Sequence, residues 1–124
     1  MKATDQLGAT VWEAAPFAVL AQVRGITGKY LTPATTVSIR RTITPDGEDT
    51  PTSDESLTVA DCVRASPQKD WPWYQAAPND QDGYNFRDEL SLSTPGTYRL
   101  TYAITDTDGG VAVLDLLVAV KDRP

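Results

Sequence analysis

The chain has 124 residues, 40% of them apolar, enough for one domain that buries roughly two-thirds of its unfolded surface. It holds no His and one Cys, which excludes Ser-His-Asp and Cys-His catalysis, His-ligated metals, multi-Cys metal sites and an intrachain disulfide. With 11 Lys and Arg against 17 Asp and Glu, its formal charge of -6 sets it against phosphate backbones and anionic membranes, so neither nucleic acid nor membrane is an expected partner.

The start, MKATDQLGATVW, lacks the apolar h-region of a secretory signal. The longest apolar stretches, Ala14 to Ala21 and Val111 to Val120, are broken by Pro16 and Asp115 and fall short of the ~20 residues that span a bilayer. Met1 and the lone Cys62 fit a complete product folded in a reducing cytoplasm.

Along the chain, period-2 alternation recurs between Gly, Pro, Asp and Thr, the signature of strands, and helical periodicity is nearly absent. Phe17, Val19, Ala21 and Val23 alternate with Ala18, Leu20, Gln22 and Arg24 in a half-buried strand. A turn over 25–33 follows, in which Gly28 is placed at positive φ. Val37, Ile39 and Ile43 form the apolar side of a second strand, whose Arg40 and Arg41 point to opposite faces, and Pro45-Asp46-Gly47 closes it. Asp46, Glu48, Asp49, Asp54 and Glu55 read as a solvated loop or hairpin tip; a cation site is the alternative, without the ligand spacing of an EF-hand. A further strand starts at Leu57-Thr58-Val59 and ends at Val63 or Ala65, with Cys62 a small buried hydrophobe.

Over 66–83 the alternation stops. A segment this long, with Trp71, Trp73 and Tyr74 among three prolines, packs on itself, binds something or orders on assembly. The aromatic trio suits three roles. It could tuck the loop onto the sandwich edge, burying ~150–250 Å² per ring. It could anchor a protein interface. Or, beside Asn79, Asp80 and Asp82, it could stack on sugar rings.

Tyr84, Phe86, Leu90 and Leu92 resume the strand pattern, with Arg87, Asp88 and Glu89 as exposed charges that could rim a partner. Thr94-Pro95-Gly96-Thr97 then turns into Tyr98, Leu100, Tyr102 and Ile104. Asp106-Thr107-Asp108-Gly109-Gly110 reads as a hairpin turn, or less simply as a loose cation-binding pair. In the closing strand Ala112, Leu114, Leu116, Val118 and Val120 form the core face, and Val111, Val113, Asp115, Leu117 and Ala119 the other. Asp115 reads as an outward charge against edge-to-edge pairing. The apolar Val111, Val113 and Leu117 around it are either covered by Val11 and Trp12 or offered to another subunit. About seven short strands without a helix describe an all-β antiparallel sandwich occupying residues 1–124 as a single domain.

The run TPGTYRLTYAITDTDGGVAVLDLLVAV resembles the last hairpin of immunoglobulin-like domains, in which a Pro-Gly turn precedes a strand that opens with Tyr. The resemblance implies an immunoglobulin-like sandwich without its disulfide, with Tyr98 as the corner tyrosine whose hydroxyl bonds back to the chain. The order FAVLAQV, TTVSIRRTI, SLTVADCV, a Trp-containing loop, GYNFRDEL and a Tyr-rich hairpin resembles small proteins of tailed-bacteriophage morphogenesis clusters. That resemblance implies a non-enzymatic virion part, a head decoration (cement) protein or a head-tail connector or tail accessory. It would be made in the host cytoplasm, use no cofactor or metal, and assemble with capsid, connector or tail subunits or with copies of itself. Trp71, Trp73, Tyr74, Val111, Val113 and Leu117 are the interface candidates; the alternative is a carbohydrate-binding module in which Trp71, Trp73 and Tyr74 meet a cell-surface glycan.

Overall fold

The computed structural model describes residues 6–68 and 84–122. Eight strands run in chain order through them: β1 Gln6–Trp12, β2 Phe17–Ala21, β3 Thr36–Pro45, β4 Ser53–Leu57, β5 Val63–Gln68, β6 Tyr84–Leu90, β7 Gly96–Asp106 and β8 Val111–Lys121. A 3-10 turn, Pro33–Thr35, leads into β3, and one helical turn, α1 Val59–Cys62, joins β4 to β5. The strands form two sheets, ordered β1-β8-β7-β3-β4 and β2-β6-β5, in a sandwich-like fold with no disulfide.

Alternate residues of β3, β7 and β8 supply one wall of the core: Ile39 and Ile43, Leu100, Tyr102 and Ile104, Leu116, Val118 and Val120. Val19, Val63 and Phe86 come from the smaller sheet, and Val23 and Leu31 from the loop after β2. Each such side chain contributes roughly 1.5–3 kcal/mol on burial. Phe86 meets Tyr102 edge-on, with ring centroids 5.1 Å apart and planes at 71°.

The expected core face of the last hairpin is the observed one, and Gly28 holds φ +84 in its turn. Four expectations change. Pairing is antiparallel except at β1, which runs parallel to β8 with Leu7 opposite Leu116 and Val11 opposite Val120. Val37 does not enter the core: a bulge between Thr36 and Ser38 leaves it 59% exposed. The stretch from Leu57 to Val63 is two strands separated by α1, because the chain must leave the five-stranded sheet and start the other within five residues. The acidic run is only partly loop, since Asp54 and Glu55 lie in β4 opposite Thr42 and Arg41.

Asn85, fully buried on β6, fixes the loop between β2 and β3 to the smaller sheet. Its Oδ1 accepts from the Val23 N–H at 2.6 Å, and its Nδ2 donates to the carbonyls of Val23 and Leu31 at 2.8 and 2.9 Å. The side chain thus replaces a strand neighbour for backbone that has left the ladder. Replacing Asn85 with Ala strands the Val23 N–H and the Leu31 carbonyl in the core, while the Val23 carbonyl keeps its bond from the Leu31 N–H at 3.0 Å. Since each costs ~1–3 kcal/mol, Asn85→Ala is expected to lose about 3 kcal/mol in urea unfolding.

Candidate interaction surface

The outward face of the five-stranded sheet carries an apolar stripe along β8. Val111 is 55% exposed, and Val113, Leu117 and Ala119 are half-buried on the same face. By register, Thr105, Ala103 and Arg99 of β7 lie beside Val111, Val113 and Leu117, while Gly8 and Thr10 of β1 lie beside Leu117 and Ala119. Apart from Arg99 these neighbours are small, which leaves the stripe standing proud of the sheet.

Of the two accounts of this face drawn from the sequence, cover by the first residues does not describe β1. That strand extends the sheet edgewise: Val11 packs against the core, and Trp12, beside Lys121, is 49% exposed. Nor does Asp115 guard an edge, because β8 lies between β1 and β7. Its carboxylate accepts from the Thr101 hydroxyl at 3.3 Å and stands 3.8 Å from the Arg99 guanidinium.

At the Val111 end the stripe meets a groove of about 340 Å³ between the β2–β3 loop and the β7–β8 turn, bordered by Arg24, Ile26, Asp106 and Gly110. Ile26 is 69% exposed there. Asp106 builds the groove floor. Its Oδ2 accepts from the Ile26 N–H at 2.9 Å, and its Oδ1 from those of Asp108 at 2.8 Å and Gly110 at 2.9 Å. A Cβ on Gly25 would stand 2.8 Å from Asp106 Oδ2, so only glycine admits this approach.

Both Asp106 oxygens are thus occupied by backbone donors, which fits the hairpin-turn reading of Asp106 and Asp108. Among the described residues no group of three or more His, Cys, Asp or Glu could hold a metal ion. Trp71, Trp73 and Tyr74 lie outside the described residues. The residues flanking that segment, Gln68 and Tyr84, sit opposite each other at the end of the fold that carries the β2–β3 loop.

A second constellation was not foreseen. Asp88, expected as an exposed charge, is buried, and its Oδ2 accepts from Arg41 Nη1 at 2.8 Å and from the Tyr102 hydroxyl at 2.6 Å. Arg41 Nη2 donates to Glu55 Oε2 at 3.0 Å. Burial and the Asp88 charge push the Tyr102 hydroxyl far above its usual range, and burial, then Asp88, push the Cys62 thiol up to about 11. Both groups are therefore protonated and non-nucleophilic near neutrality. On the outer face, Arg40 makes a bidentate pair with Asp54 at 2.6 and 2.8 Å, holding that carboxyl below its ordinary range.

Comparison with family models, curated proteins and solved structures finds no match for this chain.

Two outcomes follow from these contacts. Asp88→Ala leaves Arg41 buried without its main counter-charge and is expected to cost about 3–5 kcal/mol, while Arg41→Met with Asp88→Leu costs less than that single change; urea titrations of both decide it. The Ile26 and Gly110 N–H groups hold the Asp106 carboxyl below its ordinary value of 3.8. Its stabilising contribution is therefore complete above that value and is lost as pH falls through the lower folded-state value. Asp106→Asn should lower the urea midpoint at neutral pH and flatten its decline toward about pH 3.

Proposed function

We propose that this chain is a non-enzymatic structural component of a tailed-phage particle, an immunoglobulin-like sandwich that acts by docking onto capsid, connector or tail subunits. The observation that carries the docking is the apolar stripe Val111, Val113 and Leu117, which stays partly exposed and runs toward the exposed Ile26. A contiguous apolar stripe on an outward sheet face, with few charges along it, is the kind of surface that marks a protein–protein contact.

The immunoglobulin-like part of the reading is supported by strand order. The first strand lies parallel beside the last, the final hairpin sits centrally, and β3 and β4 follow; β2, β6 and β5 form the facing sheet. Tyr98, two residues into β7, donates its hydroxyl to the Thr94 carbonyl at 2.8 Å, the bond of a tyrosine corner. The virion assignment rests on the likeness of the chain's segments to tailed-phage morphogenesis proteins. Repetition on a symmetric particle would let contacts of modest individual affinity act together.

The test is mass spectrometry of nuclease-protected particles from the source strain. The chain is expected in them, at a stoichiometry near the major capsid protein for a decoration role or at a few copies for a connector or tail role. Val113→Asp with Leu117→Asp should lower incorporation on the order of tenfold or more, the factor that accompanies ~1.4 kcal/mol, with circular dichroism unchanged. Trp71→Ala with Trp73→Ala should abolish incorporation of a folded monomer if the 66–83 segment also docks. Absence from particles while the chain is abundant in the lysate would overturn the reading.

A further inference from the structure

Among the described strands, the four open edges of the two sheets are treated very differently by the sequence. β4 and β5 end their sheets on one side, joined through α1. β1 and β2 end them on the other, joined by four residues. On the first side the edges are blunted: β4 carries Asp54 and Glu55, and β5 carries Arg64 and Pro67, which has no N–H to donate. On the second side, neither Gln6–Trp12 nor Phe17–Ala21 contains a charge or a proline. Among the described strands β2 pairs only with β6, so alternate N–H and C=O groups of β2 face away from the sheet.

We infer that β2 is a homodimer edge, pairing antiparallel with β2 of a second copy across a two-fold axis through Val19. Three observations select a copy of this chain as the occupant. First, the segment Phe-Ala-Val-Leu-Ala is complementary to its own reverse in size. With Val19 opposite Val19 of the second copy, Phe17 faces Ala21 and Ala18 faces Leu20, a large side chain against a small one at each flanking pair. Second, the faces agree: Phe17, Val19 and Ala21 pack against the core, so pairing extends the inner layer as well as the ladder. Third, two chains of formal charge -6 repel, and β2 itself brings no charged side chain to the pairing. The union joins β5-β6-β2 to its symmetry mate in one six-stranded sheet and brings the uncharged β1 edges to the same side.

The experiment uses the full chain and a charge-pair design on the outward positions of β2. Wild type at micromolar concentrations is expected to sediment at twice the chain mass of 13.4 kDa. In the double variant Ala18→Lys with Leu20→Lys, the register sets two ammonium groups directly opposite each other on either side of the axis, and the protein should sediment as a folded monomer. In Ala18→Lys with Leu20→Glu, the same register sets an ammonium group against a carboxylate at both places, and dimerisation should return. Far-UV circular dichroism of the three proteins separates loss of pairing from loss of fold. A monomeric wild type overturns the inference, as does a dimer that survives the double-lysine change. Failure of the folded lysine–glutamate variant to recover the dimer overturns the register. Because virion incorporation is read separately, from changes on β8, failure here leaves that reading intact.

Discussion

Asp88 ties the two sheets by something other than apolar contact. It stands on β6, in the three-stranded sheet, and receives hydrogen bonds from Arg41 on β3 and Tyr102 on β7, in the other. Apolar packing alone is tolerant of sliding, since Val, Ile and Leu surfaces fit one another in several registers. A carboxylate that must meet a guanidinium and a phenol in the same place admits one relative position of the sheets. The network is not optimised for stability: among the described residues Arg41 Nε is buried without a hydrogen bond, and burial opposes the charge that Asp88 and Glu55 hold in place. Its contribution is best understood as geometric selection, and Phe86 packed edge-on against Tyr102 beside it gives the same register an apolar lock.

The framework of the last hairpin was legible because its alternation is strict and its turns carry Pro-Gly and Asp-x-Asp-Gly-Gly. Where the pattern was broken by one residue, the reading failed: the bulge at Val37 reverses a single side chain and leaves no compositional trace. The helical turn over 59–62 was hidden for a different reason. The four residues Val59-Ala60-Asp61-Cys62 are too few to distinguish periods of 2 and 3.6, and only the need to change sheets decides it.

The buried polar groups had a signal that propensity obscured. Arg41 falls between Ile39 and Ile43, and Asp88 between Phe86 and Leu90, at core parity on two different strands. Opposite charges at inward positions need each other, yet sequence gives no means of knowing that β3 and β6 face one another. Asn85 breaks parity altogether. It is buried because the β2–β3 loop folds over the end of the smaller sheet, a tertiary fact that no local pattern encodes.

The distribution of charge over the fold then bears on how such an acidic chain could assemble. Charge that must be near other charge is paired: Arg40 with Asp54, Arg41 with Asp88 and Glu55, Arg87 with Glu89, Arg99 beside Asp115. Apart from the buried Arg41–Asp88 pair, exposed pairs of this kind add little stability, ~0–1 kcal/mol each, so their effect lies elsewhere. Arg40 with Asp54 and Arg99 beside Asp115 balance charge on the outer face of the five-stranded sheet around an apolar stripe, while Asp46, Glu48 and Asp49 concentrate negative charge at the β3–β4 turn. A copy or partner approaching from that turn meets repulsion that extends about 8–10 Å at physiological salt. One approaching the β8 face or the edges of β1 and β2 meets charge that is paired or absent, and partly apolar surface. Long-range charge thereby selects the direction of approach, and short-range backbone bonds and apolar area decide whether the contact lasts.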